Sequence, residues 1–236
     1  MNPIDANLFA TLFNNIDDRH DNDDIGLAIL NSTYNSLNLD ELCRYHDFSS
    51  YKTAIPINCA DYINVLQVNT RSLNKNYDEL ITFLNSLPKS PEVISISETW
   101  LHAHNIDLHA IDGYTAYHVH RPDDTRGGGV AIYVSSNIPS GTISELCFSE
   151  HDVELCTVKI TLNNISYIIA SLYRPHGKHE RVNEFNIIME NLLTRTTLTG
   201  DRVIFAGDFN INLLEHESHP PTNNFITIMQ SAQVGP

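Results

Sequence analysis

Four polar residues stand where four apolar runs end: Asn69 after Val65-Leu66-Gln67-Val68, Glu98 after Val93 to Ser97, Tyr173 after Ile168 to Leu172, and Asp208 after Val203 to Gly207. An Asp at such a position can hold a metal ion or accept a proton. Asn210, two residues further on in Gly207-Asp208-Phe209-Asn210, can donate a hydrogen bond to a phosphate oxygen. Taken one at a time, each has an ordinary structural reading: Asn69 as a turn residue, Tyr173 as a strand-edge aromatic, Glu98 as a solvated loop carboxylate. Together they describe strand carboxyl ends, which is where open α/β folds place their chemistry. Ends scattered in sequence can meet in space if they lie on one side of the fold.

The elements that must position them are legible from periodicity. Ile63 to Val68 reads as a strand ending at Asn69, and Glu92 to Ser97 as a second strand that delivers Glu98. Between them Asn76 can cap a helix with Glu79 three residues on, with Leu80, Leu84 and Leu87 on one face and Pro88 as its stop. This strand–helix–strand order implies a right-handed crossover and a parallel pair. Strands follow at Tyr114 to Val119, Gly129 to Val134, Val153 to Leu162 and Ile165 to Leu172, the last two joined by a tight turn at Asn163-Asn164. A helix over 182–193 precedes the Val203 strand, and another is expected around 222–231. Hairpins between βαβ-like units point to a mixed α/β fold, two sheets covered by helices.

Composition bounds the function. The 236 residues fit one domain with room for an extension, and no apolar run approaches the roughly 20 residues of a membrane span. No secretory signal is apparent after Met1, so the expected location is intracellular, away from any membrane. Four cysteines without C-x-x-C spacing read as free thiols. The net charge of −15 argues against a broad basic nucleic-acid surface. Residues 1–60 carry nine acidic and three basic residues, net −6, which leaves −9 on the remainder. Any nucleic-acid substrate must therefore meet a local patch or a bound metal ion. Residues 1–60 lack a clean period and read as an N-terminal extension, with a short helix possible at Asn7 to Phe13. Residues 61–236 form the domain proper.

The strings Gln67-Val68-Asn69-Thr70-Arg71-Ser72-Leu73, Ile96-Ser97-Glu98-Thr99-Trp100-Leu101, Ser171-Leu172-Tyr173-Arg174-Pro175 and Gly207-Asp208-Phe209-Asn210 resemble the endonuclease/exonuclease/phosphatase superfamily. The Arg126-Gly127-Gly128-Gly129-Val130-Ala131-Ile132-Tyr133 run looks especially like endonuclease domains of LINE-type retrotransposons, and the resemblance covers about residues 62–215. It implies a four-layer α/β/β/α sandwich and metal-assisted phosphodiester hydrolysis of a DNA substrate, with a nuclear location. By the same resemblance Glu98 ligates Mg²⁺ (or Mn²⁺) and Asn69 supports the metal and nucleophile. Tyr173 contacts the phosphate, Asp208 orients or deprotonates the attacking water, and Asn210 binds a phosphate oxygen.

One departure bears on activity. The superfamily pattern continues into a further strand carrying Asp and a Ser-Asp-His element, whereas this sequence stops at Gly235-Pro236. Ser149-Glu150-His151 lies in mid-chain, away from the place of that element. The expectation is a truncated sandwich with an open sheet edge, weak or inactive as a nuclease. A phosphomonoesterase of the same fold and a non-catalytic retroelement fragment are the alternatives. Twelve histidines also raise zinc, through His102, His104 and His109 or through His118 and His120, but no Cys partner or His-Glu-x-x-His pattern accompanies them. Gly127-Gly128-Gly129 leads into a strand and reads as a turn, since a phosphate-cradling loop leads into a helix.

Overall fold

The computed structural model describes residues 63–122, 126–150, 153–175, 181–197, 199 and 201–231, together with strand segments at 8–10, 27–28 and 45–46. In chain order the strands are β1 (Leu8–Ala10), β2 (Leu27–Ala28), β3 (Tyr45–His46), β4 (Val65–Asn69), β5 (Val93–Ser97), β6 (Tyr114–Val119) and β7 (Val130–Ser135). They continue with β8 (Ser140–Thr142), β9 (Phe148–Glu150), β10 (Val153–Leu162), β11 (Ile165–Tyr173) and β12 (Arg202–Asp208). The helices are α1 (Leu73–Ser86), α2 (Val182–Thr197) and α3 (Pro220–Ser231).

One sheet runs β4-β5-β7-β6 and the other β1-β12-β11-β10-β8, with β9 also on β10; β2 and β3 pair with each other. As expected, β4 and β5 are parallel across the α1 crossover; β11 and β12 prove parallel across α2 as well. Asn163 and Asn164 adopt φ of 52° and 62°, the left-handed pair that closes a two-residue hairpin between β10 and β11.

Three apolar clusters hold four layers together. Val93, Val130 and Ile132 of one sheet meet Val158, Ile169 and Ile204 of the other in the central cluster. Leu73 and Leu80 of α1 pack with Ile94, Ile96 and Tyr133 on the outer face of the first sheet. Phe185, Met189 and Leu192 of α2 and Phe225 and Met229 of α3 pack with Phe205, Ile168 and Leu172 on the outer face of the second. The result is the α/β/β/α sandwich that the resemblance implies. At roughly 25 cal/mol per Å² of apolar surface, a fully buried side chain such as Phe185 stabilises the fold by about 2–3 kcal/mol.

Three expectations change. Helix α1 begins at Leu73, three residues before the predicted Asn76 cap. The cap is Ser72, whose Oγ accepts from the Lys75 N–H at 3.4 Å, because full burial of Leu73 draws the first turn into the core. Asn76 stands at a kink inside the helix (φ −110°, ψ 20°), its amide donating to Thr70 O at 2.7 Å. Leu8–Ala10, expected in a short helix, forms a strand whose backbone pairs in parallel with Ile204, Phe205 and Ala206. That pairing covers part of the β12 edge; an open sheet edge is expected from the sequence, without a strand being named. The remainder of the predicted extension, residues 1–60, lies outside the described residues. Among the described residues, no helix is long and apolar enough to cross a membrane.

Candidate active site

Strand register brings the predicted residues together. Asp208 ends β12 directly beside Tyr173 on β11, and Tyr173 stands opposite Glu154 on β10. In the other sheet Asn69 ends β4 beside Ser97, one residue before Glu98. The sheets are pinned to each other by a buried hydrogen bond from Ser95 Oγ to Ser171 Oγ at 2.7 Å, so their carboxyl ends face one another. Across that meeting line the Asn69 side-chain amide donates to Glu98 Oε1 and to Asp208 Oδ2, both at 3.0 Å.

Strained backbone marks the same place. Among the described non-glycine residues with positive φ, Arg71, Ser72, Glu98, Trp100 and Asn210 all flank these strand ends; the others are the two hairpin asparagines. Each such conformation costs on the order of 1–3 kcal/mol and persists only where its surroundings impose it. For Glu98 the surroundings are visible. The Glu98 carbonyl accepts from Ser72 N at 2.9 Å, while Thr99 N and Trp100 N donate to Gly129 O and Gly128 O at 3.1 and 2.8 Å. The carboxylate is thereby aimed inward, 9% exposed.

The turn after β12 is anchored by burial. Phe209 inserts between Phe185 and Phe225, ring centroids 6.3 and 5.9 Å away, which leaves Asp208 and Asn210 on either side of a fixed point. Gly207 has φ of 147°, and a Cβ there would run into the backbone of Leu172, so only glycine allows β11 and β12 this approach. Arg174, buried beneath the turn with its guanidinium over the Phe185 ring, donates from Nη1 to Asn210 O at 2.9 Å. The Asn210 amide donates in return to Arg174 O at 2.5 Å, and its N–H donates to Asp208 Oδ1 at 3.2 Å. Asn210 thus holds the Asp208 turn in shape.

Tyr173 is hydrogen-bonded to Glu98. Burial, then the Glu98 charge, pushes its phenol well above the ordinary range, so it remains a protonated donor aimed at that carboxylate. Its ring lies under the Arg121 guanidinium, 5.9 Å from the centroid.

Two residues that the sequence reading passed over complete the cluster. Glu154 is fully buried, paired with Arg121 and accepting from Gly129 N–H. Burial pushes its carboxyl upward, against the opposing pull of Arg121 and the Gly129 N–H. A Cβ on Gly128 (φ 72°) would occupy the space of both side chains, which explains the glycine run as a turn that admits this pair. A signal existed. Counting outward from the Asn163-Asn164 turn puts Glu154 opposite Tyr173, and a charge inside Val153-Glu154-Leu155 is costly to bury unless paired.

The histidines raised as zinc ligands make other contacts. His102 and His104 stack at 5.6 Å, His109 Nδ1 donates to Asn105 O at 3.0 Å, and His118 packs edge-on against Tyr133. Among the described residues, no group of three or more His, Cys, Asp or Glu side chains could hold a metal ion. At the strand ends the oxygen donors are the Glu98 and Asp208 carboxylates, held together by the Asn69 NH2 group, while Asn69 Oδ1 accepts from the Arg71 N–H at 3.1 Å. Those two carboxylates fit a hard divalent cation, since Mg²⁺ takes one or two carboxylates and fills its remaining positions with water and phosphate oxygens.

A model of the Endonuclease/Exonuclease/phosphatase family matches residues 62–228. The chain is 25% identical over 142 residues to the RNA-directed DNA polymerase from mobile element jockey of Drosophila melanogaster, a match covering 60% of this chain and 14% of that protein. Among solved structures it aligns with the AP endonuclease LMAP from Leishmania major at a TM-score of 0.56 and 18% identity, over 81% of this chain and 79% of that one. The endonuclease domain of TRAS1, a telomere-specific non-LTR retrotransposon, aligns at a TM-score of 0.48 and 12% identity, over 72% and 71%.

Proposed function

The chain belongs to the Endonuclease/Exonuclease/phosphatase family, and we propose that within it this chain is the DNA-cleaving endonuclease of a retroelement protein, hydrolysing phosphodiester bonds with Mg²⁺ or Mn²⁺. The observation that carries the reading is the Asn69 amide bonded at 3.0 Å to carboxylates from both sheets. Likeness to a mobile-element polymerase supports the retroelement origin.

Glu98 would hold the ion, with Asn69 supporting it through the amide hydrogen it donates to that carboxylate, and the ion when bound would supply positive charge at the scissile phosphate. Asp208, held between the Asn69 amide and the Asn210 N–H, is placed to orient an attacking water and take its proton. Tyr173 keeps its proton and positions Glu98 and a phosphate oxygen. Asn210 fixes the Asp208 turn through Arg174, which leaves its second amide hydrogen for a phosphate oxygen. The net charge of −15 is met locally by Arg126, exposed on the rim with its guanidinium 5.8 Å over the Trp100 ring. An arginine stacked on an aromatic is a suitable contact for a nucleic-acid backbone.

The test is nicking of supercoiled plasmid by the full chain, with and without Mg²⁺, in wild type, Glu98→Ala and Asp208→Ala. The reading expects metal-dependent nicking that both variants lose. It also expects a rise in Tm on adding Mg²⁺ that Glu98→Ala abolishes. Release of inorganic phosphate from a phosphomonoester in place of nicking would overturn it, as would nicking that survives both substitutions.

A further inference from the structure

Away from the strand ends, Cys147 and Cys156 face each other across the β9–β10 pair. The register of β9 on β10 pairs Glu150, Ser149 and Phe148 with Val153, Glu154 and Leu155, and its next step sets Cys147 opposite Cys156. Side-chain alternation agrees. Phe148 and Leu155 point to the cluster beneath α2, whereas Cys147 and Cys156 both pack in the central cluster between the sheets. Directly opposed residues in antiparallel strands have Cβ atoms about 4.5–5.5 Å apart, close to the separation a disulfide spans.

The two thiols differ in environment. Cys156 is buried at 1% exposure, and burial and its neighbour push its thiol upward. Cys147 is partly exposed; its sulfur accepts from Thr157 N–H at 3.2 Å, and a hydrogen bond from the Cys156 thiol lowers it to about 7. Both cysteines line an open pocket of about 390 Å³, together with His118, His120, Thr142 and Ser144, wide enough to admit a small oxidant to the partly exposed Cys147. One accessible, activated thiol beside one sheltered thiol is the arrangement of an attacking and a resolving cysteine.

We propose that Cys147 and Cys156 form a peroxide-sensitive dithiol that closes to an intrachain disulfide. The Cys147 thiolate attacks one peroxide oxygen; the O–O bond breaks and hydroxide leaves as Cys147 becomes a sulfenic acid. The Cys156 sulfur then attacks the Cys147 sulfur, its thiol proton leaves with the sulfenic hydroxyl as water, and the S–S bond forms. The two thiols are oxidised, and the peroxide is reduced to two waters. The bond would clamp β9 to β10 two residues from Glu154, and so tie the pairing of Arg121 and Gly129 to the redox state.

The full chain treated with hydrogen peroxide, alkylated and digested with trypsin and a Glu-specific protease decides it. Leu146–Glu150 and Leu155–Lys159 should appear as one linked species that dithiothreitol separates. Linkage should form at least about tenfold faster in the folded chain than in urea, because folding pre-positions the sulfurs. Cys156→Ala should instead leave Cys147 trapped as a sulfenic acid that dimedone labels. Sulfinic or sulfonic acid at Cys147 in the wild type without linkage would overturn the proposal, as would linkage confined to Cys43 and Cys59 or equal rates folded and unfolded. The wild-type digest stands alone if a variant fails to fold.

Discussion

The Asn69 amide at the end of β4 donates to Asp208 Oδ2 at the end of β12, 3.0 Å away and 139 residues apart in sequence. The same nitrogen donates to Glu98 Oε1. This one carboxamide therefore keeps two carboxylates together that would otherwise repel. Asn69→Ala should lower plasmid nicking by about two orders of magnitude with little change in far-ultraviolet circular dichroism. Asn69→Asp adds a third negative charge at the same point. It should lower Tm without metal and recover more of it than wild type does on adding Mg²⁺. Equal Mg²⁺ responses in the two proteins would contradict the bridging role.

Gly207 governs how closely β12 can approach β11. A methyl group there meets the Leu172 backbone, and the φ of 147° suits glycine alone. Gly207→Ala should cost about 3 kcal/mol or more in urea unfolding, since neither clash nor strain can relax without separating the two strands. A cost under about 1 kcal/mol would mean that the strands do not pack as described.

Glu154 and Arg121 make a pair buried on one side only, with side-chain exposures of 0% and 19%. Glu154→Gln leaves the Arg121 charge without its counter-ion and should destabilise by about 3 kcal/mol, the lower end for breaking a buried pair, because Arg121 retains some solvent. Adding Arg121→Met should restore part of that loss. Additive losses in the double variant, read by urea unfolding, would show the two residues to be energetically independent.

His118 gives stability a pH dependence. Burial first, then the nearby His109 and His120 charges, lowers its imidazole from 6.5 to about 4, with Asp107 opposing. A base harder to protonate when folded contributes stability that is complete above about pH 6.5 and lost as the pH falls toward 4. Urea midpoints measured at pH 7.5 and 4.5 should therefore differ less in His118→Phe than in wild type. Phenylalanine keeps the edge-on packing against Tyr133 and removes the titration.

Much of this architecture is legible in the chain because the signals are local. The β6 and β10 limits follow from apolar alternation, and the Asn163-Asn164 turn from two residues that tolerate left-handed φ. Where local signals compete, packing prevails. Asn76 with Glu79 is a good capping pattern, yet burying Leu73 moves the helix start to Ser72. Leu8 to Ala10 lies in a segment with no clean period where a short helix is possible, yet its backbone pairs with the free side of β12. Arg121 and Glu154 escaped notice because a charge inside a strand declares its purpose only when its partner is known, and the partner is 33 residues away.

Residue types and spacing determined by themselves that Asn69, Glu98, Tyr173 and Asp208 end strands, since strand termini are written in short-range apolar runs and the residues that stop them. Whether those ends meet depended on two sheets stacking with their carboxyl ends on one side, a matter of long-range burial. Only the tertiary structure decided that a single amide bridges Glu98 and Asp208, that Asn210 spends one hydrogen bond on Arg174, and that a Glu154–Arg121 pair sets its guanidinium against the Tyr173 ring. Hydrogen bonds of that kind need positions fixed within a few tenths of an ångström. Such positions come from the packing of the whole core around them, including Phe209 between Phe185 and Phe225.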